Sequence, residues 1–224
     1  LVDFKVNLQG GDSSRFRNKN AYPTLKNGST LNNERMMDMP RLEVGQVIPE
    51  FTVRTADREN LSLHAMLKEQ KKTVLWVLRY IGCTTCRYDV DLIAKNYEKF
   101  LEKNAQVIVV MQSDPAIVRR DLAGYDYPVQ IICDQEQEIY KTLEIPAAAD
   151  RDHFISKSIG NMAKLGVRMA VVKASGFVHG DYEGNEQQLP ALFILDDSGN
   201  VLHAHYAAHF VDMPSLEEVL ELLP

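Results

Sequence analysis

Two thiols, Cys83 and Cys86, are separated by two residues where the apolar run Val74-Leu75-Trp76-Val77-Leu78-Arg79-Tyr80-Ile81 ends and a helical pattern begins. That places them at the mouth of a strand and on the first turn of a helix. A helix N-terminus carries partial positive charge and unpaired N–H groups, which favour a thiolate. A thiolate with a second thiol one turn away can attack, form a mixed disulfide and be released by its neighbour. The bland alternatives are a buried inert cysteine or half of a zinc site. Thr84 and Thr85 lie between the two sulfurs, and Arg79 and Arg87 flank them with positive charge. Arg79 is equally readable as a buried, paired strand residue, and Arg87 as a solvated helix residue.

The third thiol, Cys133, ends another apolar run and reads first as a small core residue. His203, His205 and His209 form a His-x-His-x3-His pattern. Side chains at 203 and 205 share one strand face, yet no neighbouring acid or Cys completes four ligands in sequence. An edge hairpin with imidazoles is the simpler reading, and no metal or other cofactor is expected.

The elements around the thiols follow from periodicity. Phe51-Thr52-Val53-Arg54 and Leu61-Ser62-Leu63 flank the polar turn 56–60 and predict a hairpin. Val74 to Tyr80, Gln106 to Met111 and Val129 to Cys133 read as buried strands. Cys86 to Lys103 has apolar residues at helical spacing. Asp114-Pro115 is a cap followed by Pro at the first helical position, with Gly124 as the stop. Gln135 to Leu143 is a third helix. Ala191 to Leu195 and Val201 to Tyr206 flank a Gly-Asn-containing turn, and Ser215-Leu216-Glu217-Glu218 is a capping box. Alternating strands and helices imply a parallel core, to which the last hairpin adds an antiparallel edge. Function in such sheets gathers at the carboxyl ends of the strands.

Two stretches resist this scheme. Residues 146–189 read as an insertion: Phe154 to Leu165 is helical, Val167 to Lys173 is a strand or a helix end, and Gly176 to Gln188 is loop-like. Residues 1–41 carry seven basic and four acidic side chains, a net +3 against −9 for the remainder. They read as an irregular arm on an acidic body. The chain has 224 residues, 45% of them hydrophobic, enough for one domain with additions. Its net charge of −6 argues against a nucleic-acid partner. No apolar run is long enough to span a membrane, so no membrane partner is expected. The sequence begins at Leu1 rather than Met, and no secretory signal is visible. The expected compartment is the cytoplasm, with secretion left open by a sequence that begins without Met.

Residues 42–224 resemble the thioredoxin superfamily, and more narrowly the peroxiredoxin-like proteins of the alkyl hydroperoxide reductase/thiol-specific antioxidant group. Three segments carry the resemblance: Leu42 to Phe51, with Val44-Gly45 and Pro49-Glu50-Phe51; Leu78 to Arg87, with the two thiols; and Gln188 to Gly199, with Pro190. The resemblance implies an α/β, thioredoxin-like fold with an N-terminal β-hairpin and a mixed central sheet flanked by helices. It implies that Cys83 is the exposed nucleophile and Cys86 the resolving thiol. In the Thr-x-x-Cys register of peroxiredoxins the roles reverse, with Cys83 in the Thr position and Cys86 meeting the peroxide. It further implies that Pro190 follows a cis bond and faces the thiols, shaping a substrate groove with Thr84, Thr85, Arg79 and Arg87. The Arg that peroxiredoxins carry near this proline is absent from Gln188-Leu189-Pro190. The buried acid of thioredoxins is absent too: Trp76 and Val77 occupy its strand position, leaving Tyr80 and Thr84 as nearby polar groups.

The function implied is that of a thiol-based oxidoreductase, reducing peroxides or protein disulfides through a dithiol–disulfide cycle. Its partners would be that substrate, an external reductant such as a thioredoxin-type protein and, as an open option, a second copy in a homodimer. A non-enzymatic interaction module and a structural zinc protein are the competing classes. Keeping both thiols disfavours the first, and metal analysis of purified protein separates the second.

Overall fold

A computed structural model describes residues 41–125 and 127–224. The expected arm at 1–41 therefore lies outside the described residues, save for its last position. The hairpin comes first, as β1 (Thr52–Val53) and β2 (Leu61–Ser62), paired antiparallel in a small sheet of their own. Ser62 then caps α1 (Leu63–Leu67) by accepting the Ala65 N–H.

The alternating unit follows: β3 (Lys72–Val77), α2 (Thr84–Lys95), α3 (Tyr97–Leu101), β4 (Ala105–Met111), α4 (Pro115–Asp121), β5 (Gln130–Cys133) and α5 (Glu138–Thr142). The insertion supplies α6 (Arg151–Ile155) and α7 (Ile159–Ala174). The chain closes with β6 (Ala191–Asp196), β7 (Val201–Tyr206) and α8 (Leu216–Leu222). Both expected caps are present: Asp114 accepts the Ala116 N–H before Pro115, and Ser215 and Glu218 form a reciprocal capping box.

The main sheet has the order β5-β4-β3-β6-β7. β3 pairs parallel with β4, and β4 with β5, while β6 and β7 join antiparallel. Period-2 alternation along β3 explains its two layers. Val74 and Trp76 face α2 and α8, packing with Val90, Ile93, Leu216 and Val219. Leu75 and Val77 face α1 and α5, packing with Leu63, Met66, Ile139 and Tyr140. Burying each such aliphatic side chain stabilises the fold by about 1.5–3 kcal/mol before entropy is counted.

Three expectations need correction. The helix expected over Cys86 to Lys103 is two helices, broken at Asn96, whose side-chain amide bonds the Leu92 carbonyl and so competes with the regular ladder. Phe154 to Leu165, read as one helical stretch, is divided at residues 156–158 between α6 and α7, while Val167 to Lys173, read as a strand or a helix end, is the end of the 16-residue helix α7, begun by Ser158, which accepts the Asn161 N–H. The Leu189–Pro190 bond is trans, since no cis peptide occurs among the described residues. Here the chain is already tied straight into β6. The Leu189 N–H donates to the Pro146 carbonyl, and the Pro190 carbonyl accepts from Ala207 N–H. The expected cis-proline groove is absent, but the sheet order that defines the fold does not depend on it.

Candidate active site

The chain leaves β3 at Val77 and returns as α2 at Thr84, so residues 78–83 form the loop at the carboxyl end of a central strand. Cys83 is the N-cap residue of α2 in extended geometry, and Cys86 lies on its first turn. No side-chain hydrogen bond satisfies the cap, and Cys83 sits at the positive end of a twelve-residue helix.

Polar hydrogens converge on the Cys83 sulfur. The Arg79 guanidinium donates to Cys83 Sγ over 2.8 Å, and the Thr85 hydroxyl lies 3.0 Å from it. The Cys86 thiol and the Cys86 backbone N–H lie on the same helix turn beside that sulfur. These donors, the Cys86 thiol foremost, outweigh burial and bring the Cys83 pKa down to about 4. Cys86 goes the other way: burial, then its bond to Cys83 and the negative charge there, push its thiol well up. The pair is thus divided into one thiolate and one thiol.

Both sulfurs are covered, contrary to the expectation of an exposed nucleophile. Cys83 is 2% exposed and Cys86 3%. The cover is the segment 177–188 of the insertion. Gly180 N–H donates to the Gly82 carbonyl, and the Glu186 carbonyl accepts from Arg79. Gln112 bonds Asn185, and Glu183 accepts from the Ser113 hydroxyl and the Asp114 N–H. Tyr80 Oη lies 3.3 Å from His179 Nε2. Contact is so close that a Cβ on Gly82 would collide with the Asp181 carbonyl, which is why glycine stands directly before the thiol.

One group that sequence reasoning missed lies beneath the thiols. Asp89, one turn beyond Cys86 on α2, is buried and pairs at 2.5 Å with Arg168 of α7. Burial raises its pKa to about 6, against the pull of Arg168. The i, i+3 spacing from Cys86 was a visible signal; the arginine 79 residues away was not. Because its folded pKa lies above the unfolded value of about 3.9, Asp89 destabilises the fold increasingly as pH rises to about 6. Removing Arg168 carries that loss on through neutrality. Arg168→Met is therefore expected to cost about 1–2 kcal/mol at pH 7 and much less at pH 5, from the shift of about one pKa unit it permits. Urea unfolding at the two pH values checks this, and a cost that does not change with pH would mean the pair acts by packing alone.

The other predicted residues divide. Arg79 and Thr85 touch the Cys83 sulfur, whereas Thr84 is half-buried at the start of α2. Arg87 points elsewhere: it donates to the Asp121 carbonyl and rests against the rings of Tyr125 and Phe177. Cys133 is buried at the end of β5, its thiol pushed up to about 12 by burial. Pro190 is buried at the threshold of β6. His205 bonds the Asp212 carbonyl and His209 bonds Asn161, and among the described residues no group of three or more metal-ligating side chains is gathered. No described helix is long and apolar enough to cross a membrane.

Comparison with known proteins bears on this site. Residues 44–204 match the AhpC/TSA family. Over 186 residues the chain is 27% identical to peroxiredoxin-like 2C of Homo sapiens, covering 79% of this chain and 78% of that one. The fold is similar to that of the peroxidoxin BcpB of Mycobacterium tuberculosis, with a TM-score of 0.58 at 10% identity over 82% of this chain and 97% of that one. It is also similar to a yeast mitochondrial 1-Cys peroxiredoxin, with a TM-score of 0.53 at 13% identity over 80% and 73% of the two chains. With the match covering well over half of its length, this chain belongs to the AhpC/TSA family and is a peroxiredoxin-like enzyme of the thioredoxin superfamily, of the thiol peroxidase and oxidoreductase class.

Proposed function

We propose that the protein is a thiol peroxidase in which Cys83 attacks the peroxide and Cys86 resolves the product. The observation that carries this reading is the 2.8 Å contact between the Arg79 guanidinium and Cys83 Sγ in a covered site. The Cys83 thiolate attacks the terminal oxygen of a hydroperoxide. The O–O bond breaks, the OH passes to Cys83 as a sulfenic acid, and the alkoxide or hydroxide that leaves takes up a proton from solvent to become alcohol or water. Cys86 then attacks that sulfur. An S–S bond forms, the S–O bond breaks, and the hydroxyl leaves as water with the Cys86 proton. An external dithiol exchanges with the disulfide and restores both thiols. The yeast neighbour is described as being resolved via glutathione/thioredoxin systems, and a reductant of that class suits this chain. Its compartment would be a reducing one such as the cytoplasm.

The covered sulfur favours a small hydroperoxide over a folded protein disulfide. Attack on a disulfide needs three sulfurs close to a line, which the strap over Cys83 obstructs. The reversed order of attack is disfavoured because Cys86 holds its proton. Stopped-flow mixing of the reduced protein with hydrogen peroxide and, separately, with a protein disulfide tests the reading. The peroxide is expected to react faster by orders of magnitude. A protein reacting only with the disulfide would overturn it.

A further inference from the structure

We propose that Phe210, backed by Phe154, is a positioning residue that holds the Arg79 guanidinium against the Cys83 sulfur. The inference rests on Cys83 as the attacking thiol and adds what sets its partner in place. Arg79 spends its two terminal nitrogens on the Cys83 sulfur and the Glu186 carbonyl, and its buried Nε–H has no acceptor. Hydrogen bonds therefore hold two nitrogens of the guanidinium, and aromatic rings meet its central carbon. The guanidinium carbon lies 5.0 Å from the Phe154 ring centre, 5.2 Å from that of Phe210 and 5.4 Å from that of Tyr80. The two phenylalanine rings are stacked 4.9 Å apart, and Phe210 N–H donates to the Phe154 carbonyl at 2.9 Å. The cation leans on a bonded ring pair, one ring from the insertion and one from the segment after β7.

Phe210 touches a second cation. The Arg168 guanidinium lies 5.7 Å from the same ring. One phenylalanine thus spaces two arginines, one bonded to the Cys83 sulfur and the other to the Asp89 carboxylate. An aromatic face attracts each cation while keeping the two apart, and an aliphatic side chain of similar bulk offers no such face. Both rings are only half-buried, so changing either leaves no large hole in the core. The charged and titratable groups around Cys83 are Arg79 and Tyr80 before it, Cys86 and Asp89 on α2, Arg168 on α7, and His179 and Glu186 on the strap. Of these, only the two arginines meet the Phe210 ring.

The test is the pH dependence of alkylation by iodoacetamide, read by mass spectrometry on the Tyr80–Arg87 tryptic peptide, whose fragments report each thiol separately. Phe210→Leu is expected to move the Cys83 midpoint upward by about one pH unit. Phe210→Tyr, which keeps the ring, is expected to retain the wild-type midpoint. A general loosening would raise the plateau rate and leave the midpoint in place, and that outcome in Phe210→Leu would overturn the proposal. Should Phe210→Leu not fold, Phe154→Leu is read in the same way, with the same upward shift expected and an unmoved midpoint again overturning it. If Cys83 in the unaltered protein does not ionise at low pH, the attacking-thiol reading fails instead, which the wild-type profile shows by itself.

Discussion

Replacing Cys83 by Ser is expected to leave no measurable peroxide turnover, while Cys86→Ser consumes one equivalent of peroxide and stops. The reason is the division of protons between the two sulfurs. Cys83 is hydrogen-bonded to Arg79 and Thr85, with the Cys86 thiol beside it, and is held as a thiolate, whereas burial and the negative charge on Cys83 keep Cys86 protonated. A serine hydroxyl at 86 can still donate to the Cys83 sulfur, so the attacking thiolate survives in that variant. With no second thiol, the sulfenic acid persists and is trapped by a 1,3-dione reagent, which mass spectrometry locates. Cys133, buried and with its thiol pushed up to about 12, is not expected to substitute. If Cys86→Ser is inert and Cys83→Ser still consumes peroxide, the two roles are reversed.

The second large effect is expected at Arg79. Arg79→Met removes the charged donor that lies 2.8 Å from the Cys83 sulfur. A hydrogen bond to a charged group contributes about 1.5–3 kcal/mol, or one to two pKa units. The Cys83 midpoint should then rise by that amount from its depressed value near 4. The sign follows: a thiol with a lowered folded pKa is reactive above that pKa and loses reactivity as pH falls through it. At pH 5 the variant should react with peroxide about two- to tenfold more slowly than wild type. At pH 8 ionisation is complete in both, so any remaining deficit isolates what Arg79 does to the peroxide itself. Arg79→Lys should recover little, because an ammonium cannot reach the sulfur and the Glu186 carbonyl with one planar fork. Peroxide consumption measured across pH decides, and a wild-type profile in Arg79→Met would remove the arginine from the site.

By itself, the sequence determined the local elements and the position of the thiol pair. The apolar run from Val74 that marks a buried strand, the caps at Asp114 and Ser215 and the closing hairpin are short-range patterns, and each is present as read. So is the thiol pair at a strand-to-helix junction, because a buried strand followed by a helix must turn there. What only the tertiary structure decided is the surroundings of the sulfurs. Arg79 could be read as a paired strand residue or as a catalytic charge until its contact with Cys83 settled where it points. Asp89 finds Arg168 across 79 residues, Arg79 bonds Glu186 across 107, and the strap buries a thiol expected at the surface. Such contacts leave no periodic trace, since they depend on how an irregular insertion packs rather than on any repeat along the chain. Pro190 shows the same limit from the other side: its position suggested a cis turn toward the thiols, but bonds to Pro146 and Ala207 carry the chain straight into β6.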